Sequence, residues 1–339
     1  MYKIARWTAV SLVFCLYGSA ALAETKEELL ARGKELWEQK NYAAAIETFT
    51  KIIEIDRDDK LAYRYRGDVY TAMQDYDRAI ADATRAVQVD PKNAEAYDRR
   101  GCAYVVAGKF DDAIRDWTRA VELDPKQADY HLHLAAFLHI KGDFYKAIAH
   151  CTEAIRLDPR SAEAHSGRGT VYGQTNHPAE AIADFTAAID IDPKRAEAYY
   201  DRAVVRYNLY LAGPRSRLGE CDGVIADCTE AIRLDPNFVE AYHERGCALF
   251  AKHDYGRAIA EFTEAIRLGP EYASAYYGRG RAYLVKGQNA DAEADFAQAR
   301  RLGYNEGTGG PGTVFSVQQS APMPPANART PSQDANARH

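Results

Sequence analysis

The feature that most constrains this sequence is its likeness to itself. The stretch Ala94 to Pro125, AEAYDRRGCAYVVAGKFDDAIRDWTRAVELDP, recurs on both sides as imperfect copies at a step of 34 residues. A unit that short cannot bury a hydrophobic face alone, so the copies must stack and the chain must fold as an array. Gly33, Gly67, Gly101, Ala135, Gly169, Ala203, Gly246 and Gly280 mark one recurring position. They define eight units: 26–59, 60–93, 94–127, 128–161, 162–195, 196–238, 239–272 and 273–306.

Inside the reference unit, Ala96, Tyr97, Gly101, Tyr104 and Val105 repeat at helical spacing, and Ala113, Ile114, Trp117, Ala120 and Val121 do so again. The pattern predicts two amphipathic helices. Gly108 stops the first, because glycine adopts left-handed geometry at little cost. Pro125 closes the unit, with Pro91, Pro159, Pro193, Pro236 and Pro270 in the same place elsewhere. Small Ala113 and Ala120 opposite large Tyr97, Tyr104 and Trp117 supply knobs and holes. The series Tyr97, Gly101, Tyr104, Ala113, Trp117, Ala120, Pro125 resembles the tetratricopeptide repeat in length and spacing. The resemblance implies an all-α fold, an α-solenoid of about eight helix-turn-helix units wound into a superhelix. It implies protein or peptide partners, no cofactor and no enzymatic activity.

The ends and one interior stretch depart from the repeat. Residues 1–23 read as a secretory signal: Lys3 and Arg6, an apolar run from Thr8 to Ala20, then Ala21-Leu22-Ala23 before Glu24. The run is too short to span a bilayer and a charged segment follows it at once. Cleavage after Ala23 leaves a net charge of −8 and five cysteines, and directs the protein to the periplasm or outside the cell. Residues 307–339 are Gly, Pro, Ala, Ser, Gln and Asn with hardly an apolar cluster, the composition of a disordered tail. The sixth unit holds nine extra residues within Leu211 to Gly223, expected as a surface loop. Arg300 stands where earlier units place Ile or Val, as a capping unit requires.

One departure from the family pattern recurs. Arg32, Arg66, Arg100, Arg168, Arg202, Arg245 and Arg279 precede the unit glycine or alanine on the inward stripe. An inward guanidinium needs a partner. Asp82, Asp116, Asp184, Glu261 and Asp295 lie sixteen residues further on, with Asp227 in register beyond the insertion. The spacing predicts the structural ion pairs Arg66–Asp82, Arg100–Asp116, Arg168–Asp184, Arg202–Asp227, Arg245–Glu261 and Arg279–Asp295. The fourth unit has Leu134 and His150 instead, and the first has Arg32 opposite Thr48.

Chemistry-bearing motifs are scarce. Lys and Arg alternate with Asp and Glu along every unit, without the basic stripe of a nucleic-acid binder. There is no metal motif with ligand spacing, no glycine-rich phosphate loop and no GxSxG. The fourth unit gathers His131, His133, His139, His150 and Cys151, which keeps open a metal-binding or enzymatic accessory role there or at the sixth-unit insertion. Cys221 could pair with Cys228 or Cys247 to pin that insertion. The resemblance places binding on positions 2, 5, 9, 12 and 13 of each first helix. These positions are polar early (Arg64, Asp68, Thr71, Glu95, Asp98) and aromatic late. Tyr200, Tyr207, His243, Phe250, Tyr277 and Arg281 form the expected partner-binding groove, since aromatics beside an arginine anchor peptides well. The function this implies is a cell-envelope scaffold holding a peptide segment of another protein in its concave groove.

Overall fold

The computed structural model describes residues 24–213 and 218–305; the signal and tail expectations lie outside them. The described residues hold sixteen α-helices and no strand. They alternate as first and second helices of successive units: α1 Lys26–Glu38, α2 Tyr42–Ile55, α3 Lys60–Ala72, α4 Tyr76–Val89, α5 Ala94–Val106, α6 Phe110–Leu123, α7 Ala128–Ile140, α8 Phe144–Leu157, α9 Ala162–Gln174, α10 Pro178–Ile191, α11 Ala196–Ala212, α12 Leu218–Leu234, α13 Val239–Ala251, α14 Tyr255–Leu268, α15 Ala273–Val285 and α16 Asn289–Arg301. The described chain forms two compact units, 24–116 and 117–305, and passes from one to the other within α6.

Several helices begin on a side-chain cap. Thr25 and Glu28 form a reciprocal capping box on α1, and Asp59, Asp75, Ser161 and Asp254 accept bonds from the first-turn amides of α3, α4, α9 and α14. The turn between paired helices uses one left-handed residue at the same position of seven repeats. It is Gly108, Gly142 and Gly287 at three, and Lys40, Gln74, Asn176 and His253 at the others, where the side chain makes the geometry costlier. Between repeats, Asp56, Asp90, Asp124, Asp158, Asp192 and Asp235 each accept a bond from the amide two residues on, folding the chain before the next first helix.

The core repeats with the sequence. Ala45, Ala79, Ala113, Ala147, Ala181, Ala258 and Ala292 are buried at one position of the second helices, and Val224 fills that place in α12. Four residues on, Phe49, Trp117, Phe185 and Phe262 are fully buried, each stabilising by about 1.5–3 kcal/mol through apolar burial. Phe262 sits between two glycines: a Cβ on Gly246, in its own repeat, would meet its ring at 2.8 Å, and a Cβ on Gly278, in the next, at 2.7 Å. The ring needs both absences.

The sixth-repeat insertion is a correction. Instead of forming a loop across 211–223, most of it lengthens two helices, α11 and α12, to 17 residues each. Ala203, Tyr207 and Tyr210 continue the apolar stripe of α11, and Cys221 and Val224 begin that of α12, all but Tyr210 buried in one cluster. Tyr210 in the added turn of α11 packs against this cluster, while Leu211 beside it stays exposed.

Candidate functional site

The inward arginines and their carboxylates meet. Arg66 donates from Nε and Nη2 to both oxygens of Asp82 at 2.8 and 2.7 Å. The same fork joins Arg100 to Asp116, Arg168 to Asp184, Arg202 to Asp227 and Arg279 to Asp295, at 2.6–3.0 Å. Arg245 reaches Glu261 through Nη2 alone at 2.7 Å, the longer glutamate placing one oxygen out of register, and its buried Nε has no partner. In the forked pairs the arginine side chains are 13–20% exposed and the aspartates 5–8%. His165 adds to the Asp184 pair and Arg206 to that of Asp227. Arg32, which faces no carboxylate in its repeat, bonds Glu24 instead. In the fourth repeat Leu134 is buried and His150 pairs with His131 at 3.0 Å.

Sequence reasoning missed a second partner of these arginines. Nη1 of Arg66, Arg168, Arg202, Arg245 and Arg279 donates to Thr50, Thr152, Thr186, Thr229 and Thr263 of the preceding repeat, at 2.9–3.1 Å. Four of these threonines pass their own hydroxyl proton to the carbonyl four residues back, leaving lone pairs for the guanidinium. The signal was present: each threonine lies sixteen residues before its arginine, and the last repeat, which no arginine follows, has Ala297 there. Each such arginine therefore ties two helices of its own repeat to the repeat before.

The expected aromatic groove is divided. Tyr207 and His243 are 9% and 5% exposed. Tyr207 stacks on Tyr210, and His243 lies against Phe262 and Tyr272. Burial lowers the His243 imidazole to about 4 and raises neighbouring Glu244 to about 8. Tyr200 packs on Phe238 with its hydroxyl pushed up by burial, and Tyr277 stacks on Tyr304. A surface remains at Phe250 and Arg281, whose exposed guanidinium lies 4.6 Å over the phenyl ring.

The other unit holds a cavity of about 280 Å³ between α3, α4 and α5. Gly67, Ala79, Ala83, Ala86, Ala96 and Ala103 form its small-residue wall, and Arg64, Asp68, Glu95 and Arg99 its charged rim. Its cause is local. Ala83 occupies the position that Phe49, Trp117, Phe185 and Phe262 fill in other repeats, and no ring fills the gap. Arg64 bonds Glu95 at 2.7 Å, yet its buried Nε has no partner. Burial also pushes the Asp68 carboxyl above its ordinary range.

The tetratricopeptide repeat profile matches residues 30–94, 99–162, 166–209 and 243–305, well over half of the chain. The chain belongs to the tetratricopeptide repeat family. Solved structures of the same fold include the C-terminal part of a TPR repeat-containing protein from Cytophaga hutchinsonii, 20% identical, covering 74% of this chain and 98% of that one, with a TM-score of 0.58. The Cut9–Hcn1 hetero-tetramer of the APC/C is 18% identical over 89% of this chain and 57% of that one, TM-score 0.56. PilF of Pseudomonas aeruginosa is 20% identical over 62% and 91%, TM-score 0.53. At these identities the likeness is one of fold. No curated protein matches the sequence. A TPR array is a protein-interaction scaffold, and among the described residues no helix is long and apolar enough to cross a membrane.

The histidines of the fourth TPR do not converge. His131 and His150 bond each other, His139 bonds Gln174 at 2.7 Å, and His133 packs on Trp117. Cys151 is buried in place of a core ring. The five described cysteines are free thiols. Cys221 and Cys228 lie seven residues apart on α12, a separation of about 10 Å along a helix, beyond the reach of a disulfide. A different TPR, the seventh, brings together His243, Glu244 and Cys247 within 4.8 Å of one another. The spacing of four between His243 and Cys247 puts both on one helix face and is legible in the sequence.

Proposed function

We propose that this protein is an exported, non-enzymatic adaptor of the cell envelope that holds a peptide segment of a partner protein. The observation that carries the reading is the cavity left by Ala83. It is apolar at its base, rimmed by two arginines and two carboxylates, and of a size to take one anchoring side chain with its adjoining backbone. The unpartnered Nε of Arg64 suits a carboxylate or carbonyl of the bound segment. In the other unit, Phe250, Tyr277 and Arg281 offer an aromatic and cationic surface as a further contact. Export rests on the composition of residues 1–23.

The test is capture of partners from an envelope extract by residues 24–339, comparing wild type with Ala83→Phe and with Phe250→Ala/Tyr277→Ala, each checked for unchanged helicity. Loss of a captured protein with Ala83→Phe supports the cavity as the anchor. Loss only with the aromatic variant moves the anchor to Phe250 and Tyr277. Equal capture by all three overturns the reading. Export is tested by the N-terminal sequence of the protein recovered outside the cytoplasm, expected to begin at Glu24.

A further inference from the structure

Helix α13 carries a group of donors that neither the core nor the partner surface explains. His243 and Cys247, four residues apart, lie one above the other on the same helix face, with Nε2 3.6 Å from Sγ. The Oε2 of Glu244 is 3.8 Å from Nδ1 of His243. Glu244 is 1% exposed, its Oε1 has no hydrogen-bond partner, and neither has Nδ1 of His243. Buried polar atoms are almost always satisfied, so two orphans side by side call for an explanation.

The neighbours show how the group fits. Cys228 takes the place of the ring that fills this level in other repeats, and so leaves room for a long side chain at position 244. At the equivalent position beside Phe262 stands Gly278, where a Cβ would meet the ring at 2.7 Å. Tyr207 comes within hydrogen-bonding reach of Cys247 from α11, and Cys247 itself is only partly buried, which gives an ion a way in.

We propose that His243, Glu244 and Cys247 bind one divalent cation of zinc type through an imidazole nitrogen, a carboxylate oxygen and a thiolate sulfur. Mixed nitrogen, oxygen and sulfur donors suit zinc, and three protein ligands leave its fourth position open. The charges balance: one thiolate and one carboxylate neutralise the ion, and the thiol and carboxyl protons are released on binding. Zinc–ligand bonds of roughly 2.0–2.3 Å put tetrahedral donors about 3.3–3.8 Å apart. The imidazole turns to give one nitrogen to the ion, and the donors, now within 4.8 Å, close by about an ångström. The ion takes up the lone pairs that the fold leaves unused. Tyr207 supports the sulfur from outside, as ligand-orienting groups do in metal sites.

The experiment titrates metal-free protein, residues 24–339, with Co²⁺ and then Zn²⁺. One Co²⁺ per chain with a thiolate-to-cobalt charge-transfer band, displaced by Zn²⁺, is the expected result. Cys247→Ser, nearly the same size, abolishes the band. Glu244→Gln keeps the band and weakens binding by roughly tenfold or more. Cys221→Ser changes neither. An absence of stoichiometric binding at micromolar metal, or a band that survives Cys247→Ser, overturns the site. Should Cys247→Ser fail to fold, alkylation of Cys247 in the wild type decides, read by peptide mass: Zn²⁺ protection supports the site, and equal labelling with and without Zn²⁺ overturns it.

Discussion

Replacing Asp82 by alanine isolates what one inward ion pair contributes. Asp82 is 5% exposed and receives two charge-assisted bonds from Arg66, whose side chain is 17% exposed. Breaking a buried pair by removing one partner costs about 3–5 kcal/mol, because a charge is stranded without its counterion. Arg66 keeps its bond to Thr50 and some access to water, which sets the expectation at the lower end, about 3 kcal/mol. Two comparisons separate the pair from the loss of side-chain bulk. Glu230→Ala breaks the exposed pair with Arg233, 43% and 62% exposed, and should cost about 0–1 kcal/mol. Arg66→Met with Asp82→Leu removes both charges and should cost less than Asp82→Ala alone. Arrays of repeats need not unfold in one step, so the assay is hydrogen exchange resolved to the peptides of α3 and α4 across a denaturant series. A cost below about 1 kcal/mol for Asp82→Ala, or a double variant as damaged as the single, refutes the argument.

Three further outcomes are expected. Gly278→Ala drives a Cβ to 2.7 Å from the Phe262 ring and should destabilise by about 1–3 kcal/mol, whereas Gly67→Ala meets nothing nearer than 3.5 Å and should stabilise by up to about 1 kcal/mol; paired thermal melts check both. Ala83→Phe should raise the melting temperature by filling the cavity with apolar surface, while a fall would show that the space is too narrow for a ring. Burial, with His131 beside it, holds His150 below its ordinary value of 6.5. The unfolded chain therefore takes up that proton first, and stability present above about pH 6.5 declines as pH falls. His150→Gln should make the decline between about pH 7 and pH 5 shallower, and unchanged melting profiles would count against it.

The helices and their pairing were readable because Ala96, Tyr97, Gly101 and Tyr104 keep one helical face and a proline such as Pro125 ends six of the eight copies, signals carried within a few residues. The partners of Arg66 and its equivalents were half readable: a buried guanidinium demands the carboxylate sixteen residues forward, whereas a hydroxyl the same step backward, such as Thr50, carries no charge to announce itself. Burial at the edge of the array was the harder quantity. Tyr207 and His243 occupy positions that face outward in a schematic repeat, yet the extra turn of α11 and the ring of Tyr272 close over them, and that covering depends on residues distant in sequence. The cavity hinged on one small residue, Ala83, whose meaning appears only when the ring at that level elsewhere is known to be buried. The insertion looked like a loop because Gly213 and the residues after it interrupt the pattern, while Tyr210 and Cys221 were already extending the helices on either side.

The backward step from arginine to threonine has a consequence for chain length. Excising residues 162–195 would bring Arg202 to sixteen places after Thr152, the spacing that Arg168 has now. The junction would find its donor, its acceptor and its turn already in place, so the molecule can be shortened or extended in whole periods without new side chains. A cut one residue shorter would leave Arg202 seventeen places after Thr152, about 100° further round its helix, and strand that guanidinium away from its hydroxyl. The polar ladder thus acts as a ruler on the stretch from each threonine to its arginine, and the nine extra residues of the sixth repeat fall outside every such stretch.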